Sequence, residues 1–384
     1  MKKVLVIDDS ALMRRVMSDI ISNTNEYVVA YTAANGVEGL RIIEENDDIV
    51  AIFCDINMPK MNGLELLKII KERGVETPFI IFSAQGDATD TFNALELGAM
   101  EFIKKPDRIF VDVEFRDKVN KALFIASSVN DKDGVVDATY KRHKIPNLNK
   151  HSQKVLFPNR ALNETVKEEP VDNVIAKKDL LHNFSISSGT KTRKLVALVC
   201  STGGPKALQS VIPKLPKNLA APMLVVQHMP AGFTDTMAHR LNELSEINVK
   251  EASEGDVLKN GSVYIAKGGT HLAVKEEHGK VSIYFDDTPP IGGLKPCGNI
   301  MYSSICNLFC YDEIVCVVLT GMGADGTKGI VELSGHKKIH VIAQDEKTST
   351  VYGMPKAIYE SGLTDVVCGL DKIADEITKK VGVL

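Results

Sequence analysis

The sequence predicts an α/β fold with two doubly wound, mostly parallel sheets, the second of which carries an antiparallel hairpin insertion. Two observations support this prediction. Apolar strand-like runs alternate with segments of helical period over residues 1–126, and the same alternation restarts at about residue 193. Such alternation is typical of strand–helix–strand units, in which helices cover both faces of a parallel sheet. A length of 384 residues is ample for two such domains.

Residues 1–126 contain apolar runs of strand length, each followed by a segment of helical period. The runs are 4–8, 27–32, 49–55, 79–84 and 101–105, and the helical segments lie near 11–22, 36–46, 64–73, 88–98 and 112–126. Five parallel strands with helices on both faces form a flavodoxin-like, doubly wound domain. We therefore predict this fold for residues 1–126.

Residues 127–192 differ in character, because they are polar and show no sustained period. Stretches such as NETVKEEP and ISSGTKTRK contain few apolar side chains, so they cannot bury enough surface to offset the entropy of ordering. We predict a flexible polar linker over 127–192, between an N-terminal domain of residues 1–126 and a C-terminal domain of residues 193–384.

The C-terminal domain repeats the strand and helix pattern. Strands are predicted at 194–201, 223–229, 313–320 and 340–344, with a helix around 351–361 after the last of them. Between the second and third strands, residues 261–287 alternate in hydropathy, with turn signals at their glycines. This segment is therefore predicted to be an antiparallel insertion at the edge of an open sheet.

Composition excludes several classes of function. A formal net charge of −4 provides no basic surface for nucleic acid or for an anionic membrane. The seven cysteines form no CxxC pair, which favours free thiols in a reducing compartment over a disulfide framework. No apolar run approaches the ~18 residues of a membrane span, and the first run breaks at Asp8, unlike a signal peptide. We expect a cytoplasmic protein that is not inserted in the membrane and whose partners are proteins.

Polar side chains stand where the predicted strands of the N-terminal domain end. They are Asp8, Asp9, Asp55, Ser83 and Lys105. Taken singly, Asp9 and Ser83 are equally well explained as helix caps or turn residues. In an open parallel sheet, however, the ligand site lies beyond the carboxyl ends of the strands, where all five converge. Clustered carboxylates suit Mg²⁺, and Asp55 could then attack a phosphorus atom while cationic and hydroxyl groups neutralise the phosphoryl oxygens.

The motifs VLVIDDSALMRR, CDINMPKMNGLELL, FSA and EFIKKP follow one another as they do in the receiver domain of two-component response regulators, which residues 1–126 resemble. The resemblance implies that Asp55 is the phosphoacceptor and that a histidine kinase is a partner. It further implies a Mg²⁺ site formed by Asp8, Asp9, Asp55 and the backbone carbonyl of Asn57.

The same resemblance implies roles for residues near the ends of the last two strands. Ser83 is expected to contact the phosphoryl group, and Lys105 to pair with it. Lys104 is the neighbouring candidate, but Lys105 stands directly before Pro106, as the family pattern requires. Phe102 takes the position of the aromatic residue that changes with the state of the receiver.

Three polar residues mark strand ends in the C-terminal domain: Ser201, His228 and, just past a third strand, Asp325. Each has an ordinary structural explanation, as a helix cap or phosphate-binding serine, a hydrogen-bonded histidine and a turn aspartate. Together they match a hydrolytic triad, in which the histidine is the base and the aspartate fixes its tautomer. The glycines around Asp325 could also present backbone N–H groups to an oxyanion. CSTGG is not the GxSxG elbow, so the ordinary α/β-hydrolases are not the match.

The motifs STGGPKAL, QHMPAGFT, LTGMGADG and QDEKTSTVYGMP resemble the effector domain of the chemotaxis protein-glutamate methylesterase family, the CheB family. The resemblance implies Ser201 as nucleophile, His228 as base and Asp325 as third member, with Thr202 and the backbone N–H of Met322 as oxyanion or substrate contacts. It implies hydrolysis of glutamate methyl esters on methyl-accepting chemotaxis receptors, deamidation of receptor glutamines, and no cofactor for the ester chemistry.

The sequence departs from the family pattern at several positions. Val199 and Cys200 stand where a glycine and a small residue are usual, and Lys267 replaces a proline. PCGNIMYSSI (296–305) stands where a Pro-Ser-Val-Asp core is usual, at the expected edge of the cleft. A degenerate effector that only binds, or an esterase for small molecules, therefore stays an alternative. A DNA-binding output is disfavoured because no basic recognition helix is evident.

Overall fold

The structure is a computed structural model that describes residues 1–83, 88–106, 113–130 and 192–384. Of the predicted linker, residues 127–192, the described part includes 127–130 and 192. Residues 131–191 lie outside it. In the described part, no helix is both long and apolar enough to cross a bilayer.

The N-terminal domain is a five-stranded parallel sheet with the strand order β2-β1-β3-β4-β5, which confirms the flavodoxin-like prediction. The last helix continues to Asn130, past the boundary that we placed at residue 126. The strands are β1 (Lys2–Ile7), β2 (Tyr27–Ala33), β3 (Ile49–Asp55), β4 (Phe79–Ser83) and β5 (Glu101–Lys104), and the helices are α1 (Ala11–Ser22), α2 (Gly36–Glu45), α3 (Gly63–Glu72), α4 (Ala88–Glu96) and α5 (Val113–Asn130).

The central strands of this sheet are apolar on both faces because helices cover both. In β1, Leu5 and Ile7 pack into the cluster beneath α2 and α3, whereas Val4 and Val6 point to the opposite cluster beneath α1 and α5. Burial on both faces explains why the strand reads as a continuous apolar run. The polar groups are thereby confined to the strand ends.

A glycine brings the loop after β3 back against its strand. The N–H of Gly63, at the start of α3, donates to the carbonyl of Ile56 at 2.8 Å. A Cβ placed on Gly63 would lie 2.2 Å from the carbonyl oxygen of Asp55, so a side chain there would displace the backbone. Asn62 and Glu65 form a capping box that fixes the helix start. The loop that follows Asp55 is therefore held closely.

The C-terminal domain is built on a seven-stranded sheet with the order β14-β13-β12-β6-β7-β9-β8, in which every described pairing is parallel, and an antiparallel hairpin of β10 and β11. Its strands are β6 (Lys194–Cys200), β7 (Met223–Gln227), β8 (Asn248–Glu251), β9 (Ser262–Ile265), β10 (His271–Glu277), β11 (Lys280–Asp286), β12 (Glu313–Val318), β13 (Lys338–Gln344) and β14 (Val366–Cys368). Its helices are α6 (Gly204–Val211), α7 (Thr234–Leu244), α8 (Gly298–Ile305), α9 (Thr327–Ser334), α10 (Met354–Glu360) and α11 (Ile373–Val381).

The insertion is smaller than the sequence predicted. We expected residues 261–287 to be antiparallel throughout, but Ser262–Ile265 forms β9, a parallel strand between β7 and β8. All four residues of β9 are buried, as in an interior strand that is covered on both faces. The antiparallel part is confined to β10 and β11.

Candidate active site and phosphorylation site

The histidine and aspartate predicted for the triad are hydrogen-bonded to each other. His228 directly follows β7, and Asp325 lies in the loop between β12 and α9. His228 Nε2 lies 2.7 Å from Asp325 Oδ2, and the two side chains are only 7% and 4% exposed. The structure thus brings together residues 97 positions apart in the chain. Such a pair can accept a proton on the histidine and stabilise the charge with the aspartate.

Ser201 lies beside His228 because the two follow neighbouring strands at the same level. In the register of β6 and β7, Cys200 stands opposite Gln227, and the N–H of His228 donates to the carbonyl of Cys200 at 3.2 Å. Ser201 is 4% exposed. His228 Nδ1 is buried and has no hydrogen-bond partner among the described residues. Since Asp325 takes Nε2, Nδ1 is the ring nitrogen available to a serine hydroxyl.

The loop after β12 closes over the serine. The N–H of Ser201 donates to the carbonyl of Thr320 at 2.9 Å. A Cβ on Gly321 would lie 2.8 Å from Ser201 Cβ, so only glycine permits this close approach of the backbone. Met322, whose N–H we predicted to contact an oxyanion, follows immediately and is half-buried. Its role remains a prediction.

Asp325 is held in place by donors at the start of α8 and by His228. Its pKa is lowered, because hydrogen bonds and charge from His228, the Cys297 thiol and the N–H of Gly298 outweigh the opposing effect of burial. The distances are 3.0 Å from Cys297 Sγ to Oδ1 and 2.6 Å from Gly298 N to Oδ2. The carboxylate is therefore the charged form that a triad requires.

The sequence departures fit together in the structure. We expected Cys297 and its neighbours to line the edge of the cleft, but Cys297 is 1% exposed and contacts Asp325. A Cβ on Gly298 would lie 2.6 Å from Val199 Cγ2. Val199 in place of the usual glycine is thus matched by Gly298 in place of the usual valine. Cys200 is buried and donates to Gln227, whereas Lys267 is exposed. The spacing of motifs in the sequence could not show that the larger side chain at 199 is compensated by the missing side chain at 298.

The carboxylates at the strand ends of the N-terminal domain converge. Asp8, Asp9 and Asp55 offer oxygens that all lie within 4.8 Å of one another. Lys105 Nζ lies 2.9 Å from Asp8 Oδ2 and 2.7 Å from Asp55 Oδ2. A cluster of hard oxygen atoms with an adjacent ammonium group fits a Mg²⁺ ion and a phosphoryl group. The roles of these residues remain predictions.

Burial and charge act in opposition at this site. Burial raises the pKa of Asp55, and Lys105 reduces that rise without reversing it. For Lys105, burial lowers the pKa, but the carboxylates of Asp55 and Asp8 outweigh it and the pKa is raised. Asn57 is exposed beyond the end of β3, while Ser83 ends β4 and its side chain falls outside the described part of the structure.

A carboxylate of the N-terminal domain reaches the residue after Ser201. Glu101, the first residue of β5, accepts a hydrogen bond from Thr202 Oγ1 at 2.5 Å. Burial raises the pKa of Glu101, although the Thr202 hydroxyl and the nearby Lys121 oppose the rise. Burial also lowers the pKa of Lys121. The hydroxyl that we expected to contact substrate is therefore engaged by the other domain, and no local sequence signal indicated this contact.

Further contacts join the two domains around this point. The rings of Phe102 and Phe233 pack with centroids 4.8 Å apart, and both side chains are buried. Glu96, at the end of α4, accepts from Arg240 Nε and from Gln209 Nε2, both at 3.1 Å. Phe102 is the residue that we predicted to be the aromatic switch, and Phe233 lies on the loop after His228. The aromatic contact thus joins the end of the receiver sheet to the loop that follows His228.

Comparisons with known proteins agree with this architecture. The family model for the CheB methylesterase matches residues 196–377, and that for the response regulator receiver domain matches residues 4–112. The protein-glutamate methylesterase/protein-glutamine glutaminase of Geobacillus kaustophilus is 36% identical over 384 residues, which cover 99% of each chain. The protein-glutamate methylesterase/protein-glutamine glutaminase 1 of Syntrophomonas wolfei is 39% identical, and the match covers 98% of each chain.

Among solved structures, the CheB methylesterase catalytic domain of Thermotoga maritima is 42% identical, and the match covers 50% of this chain and 100% of that one with a TM-score of 0.48. The full-length relatives exceed 30% identity along nearly their whole length, which confirms the resemblance drawn from the motifs. This chain therefore belongs to the CheB family of protein-glutamate methylesterases/protein-glutamine glutaminases, which combine a receiver domain with a methylesterase domain.

Proposed function

We propose that this protein hydrolyses glutamate methyl esters on chemotaxis receptors, deamidates receptor glutamines, and is activated by phosphorylation of its receiver domain. The observation that carries the proposal is the buried His228–Asp325 pair beside Ser201, at the carboxyl ends of neighbouring parallel strands. Full-length relatives named for this activity support the choice of substrate.

In the proposed reaction, Ser201 Oγ attacks the ester carbonyl while His228 Nδ1 takes its proton and Asp325 stabilises the imidazolium. The backbone N–H of Met322 donates to the oxyanion, and so does the Thr202 hydroxyl once it is released from Glu101. Collapse of the tetrahedral intermediate breaks the C–O bond, and His228 gives its proton to the departing methoxy group, which leaves as methanol. Water, deprotonated by His228, then hydrolyses the acyl-enzyme to the glutamate carboxylate and restores the serine.

In the receiver, Asp55 would accept the phosphoryl group of a histidine kinase, with Lys105 and Ser83 as its contacts. Asp8, Asp9, Asp55 and the carbonyl of Asn57 would hold Mg²⁺, which neutralises charge on the phosphoryl oxygens when it is bound. The 2.7 Å contact of Lys105 with Asp55 already provides one positive charge next to the acceptor.

The test of the activity is methanol release from membranes that contain methylated receptors, by the purified full-length protein. We expect release by the parent protein, and none above background by Ser201→Ala. A protein labelled at Ser201 by a fluorophosphonate but inactive on receptors would be an esterase for another substrate. A protein that shows neither reaction would be the non-catalytic binding module.

We also propose that the unphosphorylated receiver covers the cleft. The Glu101–Thr202 hydrogen bond and the Phe102–Phe233 packing support this proposal, since both lie within one or a few residues of the proposed triad. Phosphorylation would then act by weakening these contacts, as in other switches that bias two arrangements of domains.

Deletion of residues 1–126 is therefore expected to raise basal methanol release. The gain is limited by the free energy that couples the two domains, and a typical coupling would give roughly 5- to 150-fold activation. The truncated enzyme should no longer respond to a phosphodonor. If it is no faster than the unphosphorylated full-length protein, the receiver does not inhibit by covering.

A charge-reversal cycle at the rim of this contact tests the same proposal in the full-length protein. Glu96→Arg places like charges beside Arg240, and we expect basal activity to rise about two- to fivefold, the range of a partly exposed pair. Arg240→Glu should act similarly, and the double variant should return toward the parent. Additive gains in the double variant would show that the pair does not control activity.

A further inference from the structure

Asp325 is contacted by more donors than a triad requires. Its Oδ2 receives His228 Nε2 at 2.7 Å and the N–H of Gly298 at 2.6 Å. Its Oδ1 receives Cys297 Sγ at 3.0 Å and the N–H of Asn299 at 3.1 Å. The donors from residues 297–299 come from one side, at the start of α8, and the histidine comes from the end of β7.

We propose that Cys297 is a positioning residue of the triad, whose thiol holds Oδ1 of Asp325 so that Oδ2 stays aimed at His228. The inference rests on the proposed function, because it assigns a role only if His228 is the base. Oδ1 has two donors, the thiol and the N–H of Asn299, and together they limit rotation of the carboxylate about its Cβ–Cγ bond. The thiol and the backbone thus set the direction in which the carboxylate accepts from histidine.

The thiol acts as the donor in this contact. Burial raises the pKa of Cys297 to about 12, and the charge of Asp325 acts in the same direction. The sulfur therefore keeps its proton at neutral pH, and that proton points to the carboxylate oxygen. With 1% of its surface exposed, Cys297 is shielded from solvent that could replace the bond. Its contribution is that of a fixed, protonated donor.

Among residues 297–299, which all donate to Asp325, Cys297 is the one whose side chain can be changed without disturbing the backbone. Gly298 approaches so closely that a Cβ there would lie 2.6 Å from Val199 and 3.1 Å from Asp325 Oδ2. Asn299 Oδ1 accepts from the N–H groups of Gly326 and Gly329, at 3.1 and 2.8 Å, and ties the start of α8 to the loop that carries Asp325. A change of the Cys297 side chain removes one donor and leaves these ties in place.

Loss of the donor has a predictable sign. Four side chains act on Asp325 from the elements packed around it: His228 after β7, Cys297 before α8, Tyr302 within α8 and His271 at the start of β10. Without the thiol, Asp325 Oδ1 keeps a single donor, the N–H of Asn299, so the carboxylate is held less firmly against His228. A less well oriented base takes the serine proton more slowly, and turnover falls. His271 and Tyr302 are unchanged in every variant, so the fall in turnover reports the thiol.

The experiment compares full-length Cys297→Ala, Cys297→Val and Cys297→Ser, with Cys306→Ala as a matched control at a cysteine whose thiol donates to the carbonyl of Tyr302 in its own helix. Initial rates of methanol release are measured against the concentration of methylated receptor membranes. We expect kcat to fall about three- to tenfold in the alanine and valine variants, the effect of one lost hydrogen bond. KM should stay constant, because the thiol does not contact substrate. The serine hydroxyl should restore kcat.

A second readout separates this inference from the choice of substrate. The rate at which a fluorophosphonate labels Ser201 depends on the base but not on the receptor, and it should fall in the same variants. If the parent is labelled but releases no methanol, the proposed substrate is wrong and the role of Cys297 is still measured. Valine fills the space of the thiol and guards against collapse of a cavity. Folded alanine and valine variants with parental rates would overturn the inference, as would a serine variant that is equally impaired.

Discussion

Ser201→Ala should abolish ester hydrolysis, with a fall in kcat on the order of 10⁴- to 10⁶-fold, as expected for loss of a triad nucleophile. His228→Ala should cost about as much, and the double variant no more than either single one, because nucleophile and base act as one unit. Asp325→Asn should cost less, since it leaves both reacting groups in place. Initial rates of methanol release measure all four variants.

Ser210→Ala is the matched control for the serine. Ser210 lies on α6, is half-buried, and donates to the carbonyl of Lys206 in its own helix. It should retain parental activity. If Ser201→Ala keeps more than a few per cent of the parental rate, the nucleophile lies elsewhere or the activity belongs to a contaminant.

Asp55→Asn should remove phosphoryl uptake altogether. An amide oxygen cannot form the acyl phosphate. Asp55 is the last residue of β3, and like Asp8 it contacts Lys105 within the carboxylate cluster. Incubation with Mg²⁺ and a radiolabelled small phosphodonor, followed by a test for acid-labile phosphate, measures the uptake. Chelation of the metal with EDTA should abolish it in the parent protein as well.

Asp47→Asn provides the control for this second variant. Asp47 is exposed just before β3, at the opposite end of the strand from Asp55, and should leave uptake unchanged. Acid-labile phosphate on Asp55→Asn at the parental level would show that another residue is the acceptor. The unphosphorylated variant should also keep the low basal methanol release of the parent, without activation by the phosphodonor.

The sequence allowed the strand-end residues to be identified because parallel strands bring their carboxyl ends to one edge. That rule placed His228 next to Ser201 and Lys105 next to Asp55 before any coordinates were known. It could not place β9, since a buried strand of four residues shows no alternation from which to infer its direction. The pairing of β9 with β7 depends on contacts between residues that are far apart in the sequence.

Contacts between side chains were the second feature that could not be predicted from the sequence. The donor from Cys297 to Asp325 spans 28 residues, and the hydrogen bond from Thr202 to Glu101 spans 101. Neither produces a period or a motif, because the first depends on how loops pack within one domain and the second on how two domains pack. The departures from the family pattern marked the region of Cys297, but their meaning required the positions of Val199 and Gly298.

The hydrogen bond between Thr202 and Glu101 has a thermodynamic consequence for how the enzyme meets its substrate. A hydroxyl has one proton to donate, so Thr202 cannot serve Glu101 and an oxyanion at the same time. If substrate uses this hydroxyl, its binding and receiver docking compete. Linkage is reciprocal: whatever loosens the receiver strengthens binding in the cleft, and whatever fills the cleft loosens the receiver by the same free energy. A dense array of receptors would then favour the open arrangement by mass action, and less phosphorylation would be needed there than in dilute solution.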